Sequence, residues 1–326
     1  MEFIKKYVQL FESFLHDHPC TKEPVNLYEP ADYILSLGGK RLRPIFVILG
    51  YDLYGHDINH ALDAAMAVEL FHNFTLLHDD IMDKADLRRG QPTVHVKYNT
   101  NTAILTGDVM MVKALQYLVQ YKKPQLVVDL LQIFNKMAIE VCEGQQMDMD
   151  FESRDDVSIE EYIQMITYKT SVLIAASIQM GALIGNATHD DQLHLYQFAK
   201  NLGIAFQLQD DILDTFGESN QVGKKIGGDI IQNKKTYLFL KSLELADTSH
   251  RDLLKNHYYS NQDIEESQKV DQVTRIFTDL NVAEYARQVI EAYRDLAVSH
   301  LNACQITESK KEAMVGFVGE LIARSH

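Results

Sequence analysis

Proline is confined to the first part of this chain: six occur, at positions 19, 24, 30, 44, 92 and 124, and residues 125–326 contain none. A proline inside a helix loses a backbone hydrogen bond and clashes with the preceding turn, at about 3 kcal/mol, so a long proline-free stretch suits continuous helices. The apolar residues agree. Leu126, Val127, Leu130, Leu131 and Phe134, and again Val289, Tyr293 and Leu296, recur every three or four positions and so share one helical face. Strand-like alternation is nearly absent, residues 94–98 (VHVKY) being the one brief exception. Helix starts are legible too: Ser158 and Asn281 each stand three residues before a Glu, at 161 and 284, the spacing of a capping box. The expected fold class is all-α.

With 326 residues, 46% of them hydrophobic and 24% charged, there is ample material for a core. Turn signals fall at residues 19–30, at Gly38-Gly39, at Gly90-Gln91-Pro92 and across residues 217–229, and none reads as an interdomain linker. One domain over residues 1–326 is therefore expected. The formal charge of −15 repels a nucleic-acid backbone. A phosphorylated small molecule would need a local basic cluster or cations held by carboxylates. Cys20, Cys142 and Cys304 are far apart with no zinc or disulfide spacing, which points to a reducing, cytoplasmic setting. Phe3, Tyr7, Leu10, Phe11 and Phe14 keep helical spacing among charges, unlike a signal peptide, and no apolar run reaches the roughly 18 residues of a membrane span.

One form occurs twice: Asp79-Asp80-Ile81-Met82-Asp83 and Asp210-Asp211-Ile212-Leu213-Asp214, each after an apolar helical run. On a helix Asp79 and Asp83 are one turn apart on one face, as are Asp210 and Asp214. Like charges so placed repel unless a cation lies between them. Oxygen-rich clusters of this kind suit Mg²⁺, which takes one or two carboxylates plus waters and phosphate oxygens. A solvated acidic face would account for one such motif. The second copy weighs against that reading, as does the basic chemistry nearby: Lys84, Arg88 and Arg89 after the first motif, Lys224, Lys225, Lys234 and Lys235 after the second, and Lys40, Arg41 and Arg43 earlier. Arginine grips phosphate bidentately. Lys40 and Arg43, three apart, would share a face if that segment is helical.

These residues resemble the trans-isoprenyl diphosphate synthases, the head-to-tail prenyltransferases that include geranylgeranyl and farnesyl diphosphate synthases. Residues 38–44 (GGKRLRP), 78–90 (HDDIMDKADLRRG), 143–148, Lys169-Thr170, 206–214 (FQLQDDILD) and 223–235 are similar to the family's blocks in the family's order. The resemblance implies a single isoprenoid-synthase helical bundle of roughly ten or more helices around a deep central cavity, with the two acidic motifs facing each other at its mouth, acting as a homodimer. It implies that Asp79, Asp83 and Asp210 hold Mg²⁺, three ions per site, on an allylic diphosphate. Asp80, Asp211 and Asp214 complete the motifs as ligands, directly or through water. Arg88, Lys169, Lys234 and Lys224, or Lys225 by a one-residue shift, would contact diphosphate; Lys40, Arg43, His72 and Arg89 would bind isopentenyl diphosphate. Thr170 and Gln207 would lie beside the reacting carbon. No side-chain general base is expected, because in the family the proton leaves to the departing pyrophosphate.

Product length would be set by the cavity floor. Phe74 stands five residues before Asp79, about 7.5 Å deeper by helical rise, with Thr75 four and Phe71 eight residues before it. In the resembling enzymes an aromatic at the fifth position and a small residue at the fourth go with the C20 product. Phe74 with Thr75 thus favours geranylgeranyl diphosphate, while Phe71 leaves the C15 product open. Simple packing of Phe74 on a neighbouring helix is the competing reading. A class I terpene cyclase would share the fold and one DDxxD, but its second metal motif differs and it has no use for the GGKRLRP block.

Overall fold

The protein is described by a computed structural model over residues 2–217, 227–259 and 264–322. Helices dominate it. In chain order they are α1 (Glu2–Asp17), α2 (Val25–Ser36), α3 (Leu42–Asp52), α4 (Leu62–Met82), α5 (Val94–Lys97), α6 (Thr100–Leu118), α7 (Pro124–Ser153) and α8 (Ile159–Ile166), then a π-helical turn, Thr167–Ser171, leading into α9 (Val172–Ile184) and α10 (His189–Phe216). After them come α11 (Gly228–Ile231), α12 (Tyr237–Leu245), α13 (Thr248–Tyr259), α14 (Glu266–Asp279), α15 (Val282–Ala303) and α16 (Glu308–Ile322). Among the described residues no helix is long and apolar enough to cross a membrane.

The chain divides into two compact units, each drawn from three separate stretches. The first comprises Met1–Lys136, Leu173–Tyr196 and Cys304–Ala313; the second comprises Met137–Val172, Gln197–Ala303 and Met314–His326. In the first unit α1 buries Ile4, Tyr7 and Phe11, as the sequence rhythm demands, and exposes Lys5 and Lys6. Helices α3 and α9 meet backbone to backbone: a Cβ on Gly50 would lie 2.2 Å from the Ile178 carbonyl oxygen, and one on Gly181 would lie 1.9 Å from that of Val47. Only glycine permits such an approach. The second unit has its own apolar core around Tyr162, Leu208, Phe239, Tyr258 and Phe277, with the Phe239 and Tyr258 rings stacked at 3.7 Å.

Several local expectations are refined. Ser158 forms the capping box, its hydroxyl accepting from the Glu161 N–H at 3.2 Å while Glu161 accepts from the Ser158 N–H at 3.0 Å. Asn281 does not. Its φ of 52° is left-handed, the conformation of a residue closing α14, and the Glu284 N–H bonds its backbone carbonyl at 3.1 Å. Residues 94–97, read as strand-like, are a helical turn instead. The short antiparallel strands are Leu87–Arg88 (β1) and Gln91–Pro92 (β2). Five residues of alternation are too few to separate a strand from a turn of helix. Pro30, read as punctuation, is buried inside α2.

Candidate active site

In the first unit α4 carries the first acidic motif at its C-terminal end. Asp79 is half-buried, Asp80 is only 3% exposed and Asp83 is exposed at the cap, its N–H returning to the Asp79 carbonyl at 2.8 Å. Both oxygens of Asp80 are held by Arg88, Nε to Oδ2 and Nη2 to Oδ1, each at 2.7 Å. This fork fixes the β1–β2 hairpin, whose two turn residues, Arg89 (φ 53°) and Gly90 (φ 75°), supply the left-handed pair that a two-residue turn requires. The turn sends the Arg89 guanidinium to the Gly38 carbonyl, to which it donates. A Cβ on Gly39, at φ 134°, would come within 2.7 Å of that guanidinium, so the double glycine makes room for it.

Lys40 and Arg43 do not share a helical face. Helix α3 begins only at Leu42, after Arg41 in a left-handed conformation (φ 48°), so Lys40 lies exposed in the preceding loop and Arg43 in the first turn. Arg41 is a buried strut, donating to Glu12 at 2.8 Å, Glu69 at 2.6 Å and the Leu35 carbonyl at 2.5 Å. His72 reports the local field: burial first, then Arg43, Arg89, Arg88 and Arg41, push its imidazole well below the ordinary range. Those four guanidiniums make a cationic patch in an otherwise acidic chain. Deeper along α4, the Phe74 ring meets His78 edge-on at 4.8 Å, and the Thr75 hydroxyl donates to the His72 carbonyl at 2.8 Å. Phe71 has no exposed surface and packs edge-on to Phe134 at 5.3 Å.

The second unit contains a cleft of about 140 Å³ lined by Asp148, Lys169, Thr170, Gln207, Asp211, Asp229, Lys234 and Lys235, with Tyr162, Met165 and Ile166 on its apolar side. Lys169 and Thr170 sit on the π-helical turn, a device that re-aims side chains within a helix. Its neighbours are glycines for a reason. A Cβ on Gly144 would lie 2.3 Å from the Lys169 backbone nitrogen, and one on Gly203 would lie 2.8 Å from the Ser171 Cα. Lys169 Nζ donates to Asp148 Oδ2 at 2.6 Å, and Lys234 Nζ reaches the same oxygen at 3.1 Å. Burial alone would raise the Asp148 carboxyl, but the two lysines outweigh it and hold the group below the usual range.

The second acidic motif lies within α10. Asp210 and Asp214 are half-buried, and Asp214 accepts from the Asp229 N–H at 2.9 Å. Asp211 is buried, accepting from the Tyr162 hydroxyl and, at 3.2 Å, from the Gln207 amide. Burial and the neighbouring Asp229 drive its carboxyl well above the usual range against those two hydrogen bonds. The Thr170 hydroxyl donates to Gln207 Oε1 at 3.2 Å, which joins the two residues expected beside the reacting carbon. Lys224 and Lys225 fall outside the described residues.

Tyr162 carries no sequence signal of a role, and Asp148, Asp229 and Lys235 carry one only as members of blocks. A tyrosine at helical spacing reads as core, and the second lysine of a pair reads as surface charge. In the fold Lys235 is buried, its ammonium 4.5 Å from the Tyr259 ring, and burial first and then Lys269 lower it to about 8. Among the described residues no three His, Cys, Asp or Glu gather into a metal cage. Asp79 with Asp83, and Asp210 with Asp214, offer hard oxygen donors in pairs, a set that fits Mg²⁺ completed by water and phosphate oxygens.

Residues 24–277 match the family described as polyprenyl synthetase. The chain belongs to the polyprenyl synthetase family. Every block of the expected motif set lies inside the matched range, and the family's enzymes are prenyltransferases, the class to which this chain belongs. This polyprenyl synthetase is similar to the short chain isoprenyl diphosphate synthase of Methanocaldococcus jannaschii, 41% identical over 74% of this chain and 75% of that one. It is similar also to the geranylgeranyl diphosphate synthase of Methanosarcina mazei, 43% identical over 69% of this chain and 70% of that one. A crystal structure of a geranylgeranyl pyrophosphate synthase, 43% identical, covers 99% of both chains with a TM-score of 0.94.

Proposed function

We propose that this enzyme condenses isopentenyl diphosphate head to tail with allylic diphosphates, in an Mg²⁺-dependent reaction, to make a short-chain trans-prenyl diphosphate, geranylgeranyl diphosphate (C20). The observation that carries this is the Lys169–Asp148–Lys234 cluster beside the Thr170–Gln207 pair in one cleft, where ammonium groups and neutral oxygens stand together. Ionising an allylic diphosphate needs both: positive charge for the departing diphosphate and polar oxygens for the carbon left behind.

Asp79, Asp83 and Asp210 are the residues assigned to hold the metal, with Asp80, Asp211 and Asp214 supporting them. When bound, Mg²⁺ neutralises the charge that develops on the leaving diphosphate. Arg88, Lys169, Lys234 and Lys224 bind the allylic diphosphate. Lys40, Arg43, His72 and Arg89 bind isopentenyl diphosphate, a role supported by the field that keeps His72 neutral and favours an anion. Thr170 and Gln207 present oxygen lone pairs to the allylic cation, and the isopentenyl double bond attacks it. The proton then lost goes to pyrophosphate, so no side chain acts as base. Apolar walls such as Met165 and Ile166 exclude the water that would quench the cation.

The C20 product is supported by Phe74 with the small Thr75 next to it, by the relatives named geranylgeranyl diphosphate synthase, and by Phe71 being packed away with no exposed surface. The chain works as one domain, since each unit takes three separated stretches and neither is a contiguous piece. It works as a homodimer: Leu105 and Val112 on α6 and Val119 at its C-cap, at intervals of seven residues, are 58%, 62% and 51% exposed, an apolar stripe of the kind that a second copy covers. A cytoplasmic location fits its three cysteines standing as thiols outside any disulfide. The test is to incubate purified protein with Mg²⁺, isopentenyl diphosphate and each of dimethylallyl, geranyl and farnesyl diphosphate, then size the dephosphorylated products. A C20 alcohol, lost when EDTA is added, is the expected result; no condensation with any starter overturns the reading.

A further inference from the structure

We propose that Lys269 is a positioning residue for the allylic diphosphate: from α14 it clamps the left-handed turn at Asn233 and so holds the Lys234 ammonium on Asp148 in the cleft. This deepens the prenyl diphosphate synthase reading and rests on it.

Lys234 follows directly on the turn that ends α11. Asn233 has φ 57°, a left-handed conformation that asparagine tolerates better than most side chains. Its N–H bonds the Ile230 carbonyl at 3.2 Å, and the Lys234 N–H reaches back to the Asp229 carbonyl at 2.9 Å, the paired bonds of a Schellman cap. Two ammonium groups close on this one residue. Lys269 Nζ donates to Asn233 Oδ1 at 2.5 Å and to the Ile231 carbonyl at 3.4 Å, while Lys235 Nζ donates to the Asn233 carbonyl at 3.1 Å. The two lysines after the turn leave it in set directions: Lys235 toward the Tyr259 ring, and Lys234 to Asp148 Oδ2 at 3.1 Å.

Helix α14 seats the segment at its other end too. Gly227, at φ 76°, gives its N–H to the Asp214 carbonyl at 2.7 Å, and a Cβ on it would lie 2.6 Å from Val270 Cγ1. Lys269 and Val270, adjacent on α14, therefore grip residues 227–233 from both ends. Lys269 lies beyond every motif block and would pass for a solvated surface charge. It is half-buried instead, and burial lowers its ammonium below the ordinary lysine range. A desolvated ammonium bonded to two oxygens of one turn acts as a strut. A lysine ammonium sits on a flexible stem, so the backbone from which Lys234 springs decides whether it meets a diphosphate. Lys234 touches the substrate; Lys269 and Asn233 act through it.

The test compares Lys269→Met, Lys269→Arg, Asn233→Ala, Lys234→Met and the Lys269→Met/Lys234→Met pair in the full-length enzyme, with kcat and KM measured for each diphosphate. Lys269→Met is expected to lower kcat/KM for farnesyl diphosphate about tenfold, since small misplacements near the chemistry are costly, and to leave KM for isopentenyl diphosphate within about twofold. Lys269→Arg should recover most of the loss. Asn233→Ala, which removes Oδ1 and penalises the left-handed turn, should reproduce it. In the Lys234→Met background, Lys269→Met should cost less than about twofold, because the two residues act as a unit. Losses that multiply in the pair, or an equal rise in both KM values, would overturn the proposal. Crystal structures of the unaltered protein and of Lys269→Met, or of Asn233→Ala where the first variant does not fold, need no turnover. Lys234 drawn away from Asp148 in the variant supports the assignment; Lys234 still bonded to Asp148 Oδ2 with the turn unchanged overturns it. Absence of condensation by the unaltered enzyme defeats the synthase reading, and the pair of crystal structures still decides the clamp.

Discussion

One oxygen of Asp148 joins two cations, accepting from Lys169 Nζ at 2.6 Å and from Lys234 Nζ at 3.1 Å. Lys169 comes from the π-helical turn and Lys234 from the segment after α11, so the carboxylate aligns two ammonium groups that would otherwise repel. Asp148→Asn keeps the shape and removes the charge. A charge-assisted hydrogen bond is worth about 1.5–3 kcal/mol, so kcat/KM for the allylic diphosphate should fall roughly 10- to 100-fold. Steady-state kinetics with farnesyl diphosphate as the varied substrate check this.

Phe74 and Phe71 separate by burial, although both lie on α4. Phe74→Ala should lengthen the product beyond C20 and leave stability nearly intact. Phe71→Ala opens a hole against Phe134 and should cost about 3–5 kcal/mol, with less effect on product length. Product sizing and urea denaturation on the same two preparations distinguish them. An unchanged product from Phe74→Ala would remove the floor assignment.

Gly144 is a contact demand of the π-helical turn. Its added Cβ would lie 2.3 Å from the Lys169 nitrogen and 2.7 Å from the Tyr168 carbonyl carbon, both backbone atoms. Gly144→Ala should therefore displace the π-helical turn and lower kcat at least about tenfold, since small misplacements near the chemistry are costly. Circular dichroism should remain helical.

His72 gives a pH dependence. Burial and four nearby guanidiniums lower its folded pKa well below the ordinary value of about 6.5, so in that window the unfolded chain binds a proton that the folded chain does not. Stability therefore rises with pH through this range and is lost as pH falls below about 6.5. The drop in Tm between pH 7.5 and pH 5.5 should be smaller in His72→Gln than in the unaltered protein.

The α6 stripe predicts the assembly. Val112→Glu puts a charge at the middle of three exposed apolar residues spaced seven apart. Sedimentation should show a dimer for the unaltered chain and monomer for the variant, at unchanged helicity.

Much of the site is legible in the sequence. The two DDxxD motifs, the paired glycines, the RRG turn and the KT pair are short local patterns whose chemistry travels with the residues themselves. Less legible are the partners. Asp80 shows in the sequence only as one acidic residue of a motif, with no sign of its partner; the hairpin brings Arg88 onto both of its oxygens. Lys40 and Arg43 have the spacing of one helical face, but a left-handed Arg41 starts the helix after Lys40. Asn281 has a cap's chemistry and spacing, yet its backbone closes the helix before it.

Sequence alone determined that this chain is helical, that its acidic groups come in two spaced trios and that cationic side chains accompany them, because periodicity, proline placement and residue charge act over one or two turns. Tertiary structure alone decided that Asp148 clasps two lysines, that Phe71 is core while Phe74 is partly open, and that Tyr162 and Gln207 occupy the oxygens of Asp211. Those outcomes depend on side chains far apart in the chain arriving at one point. Their arrival is set by glycine-permitted helix contacts and by a π-helical turn, neither of which leaves a periodic trace.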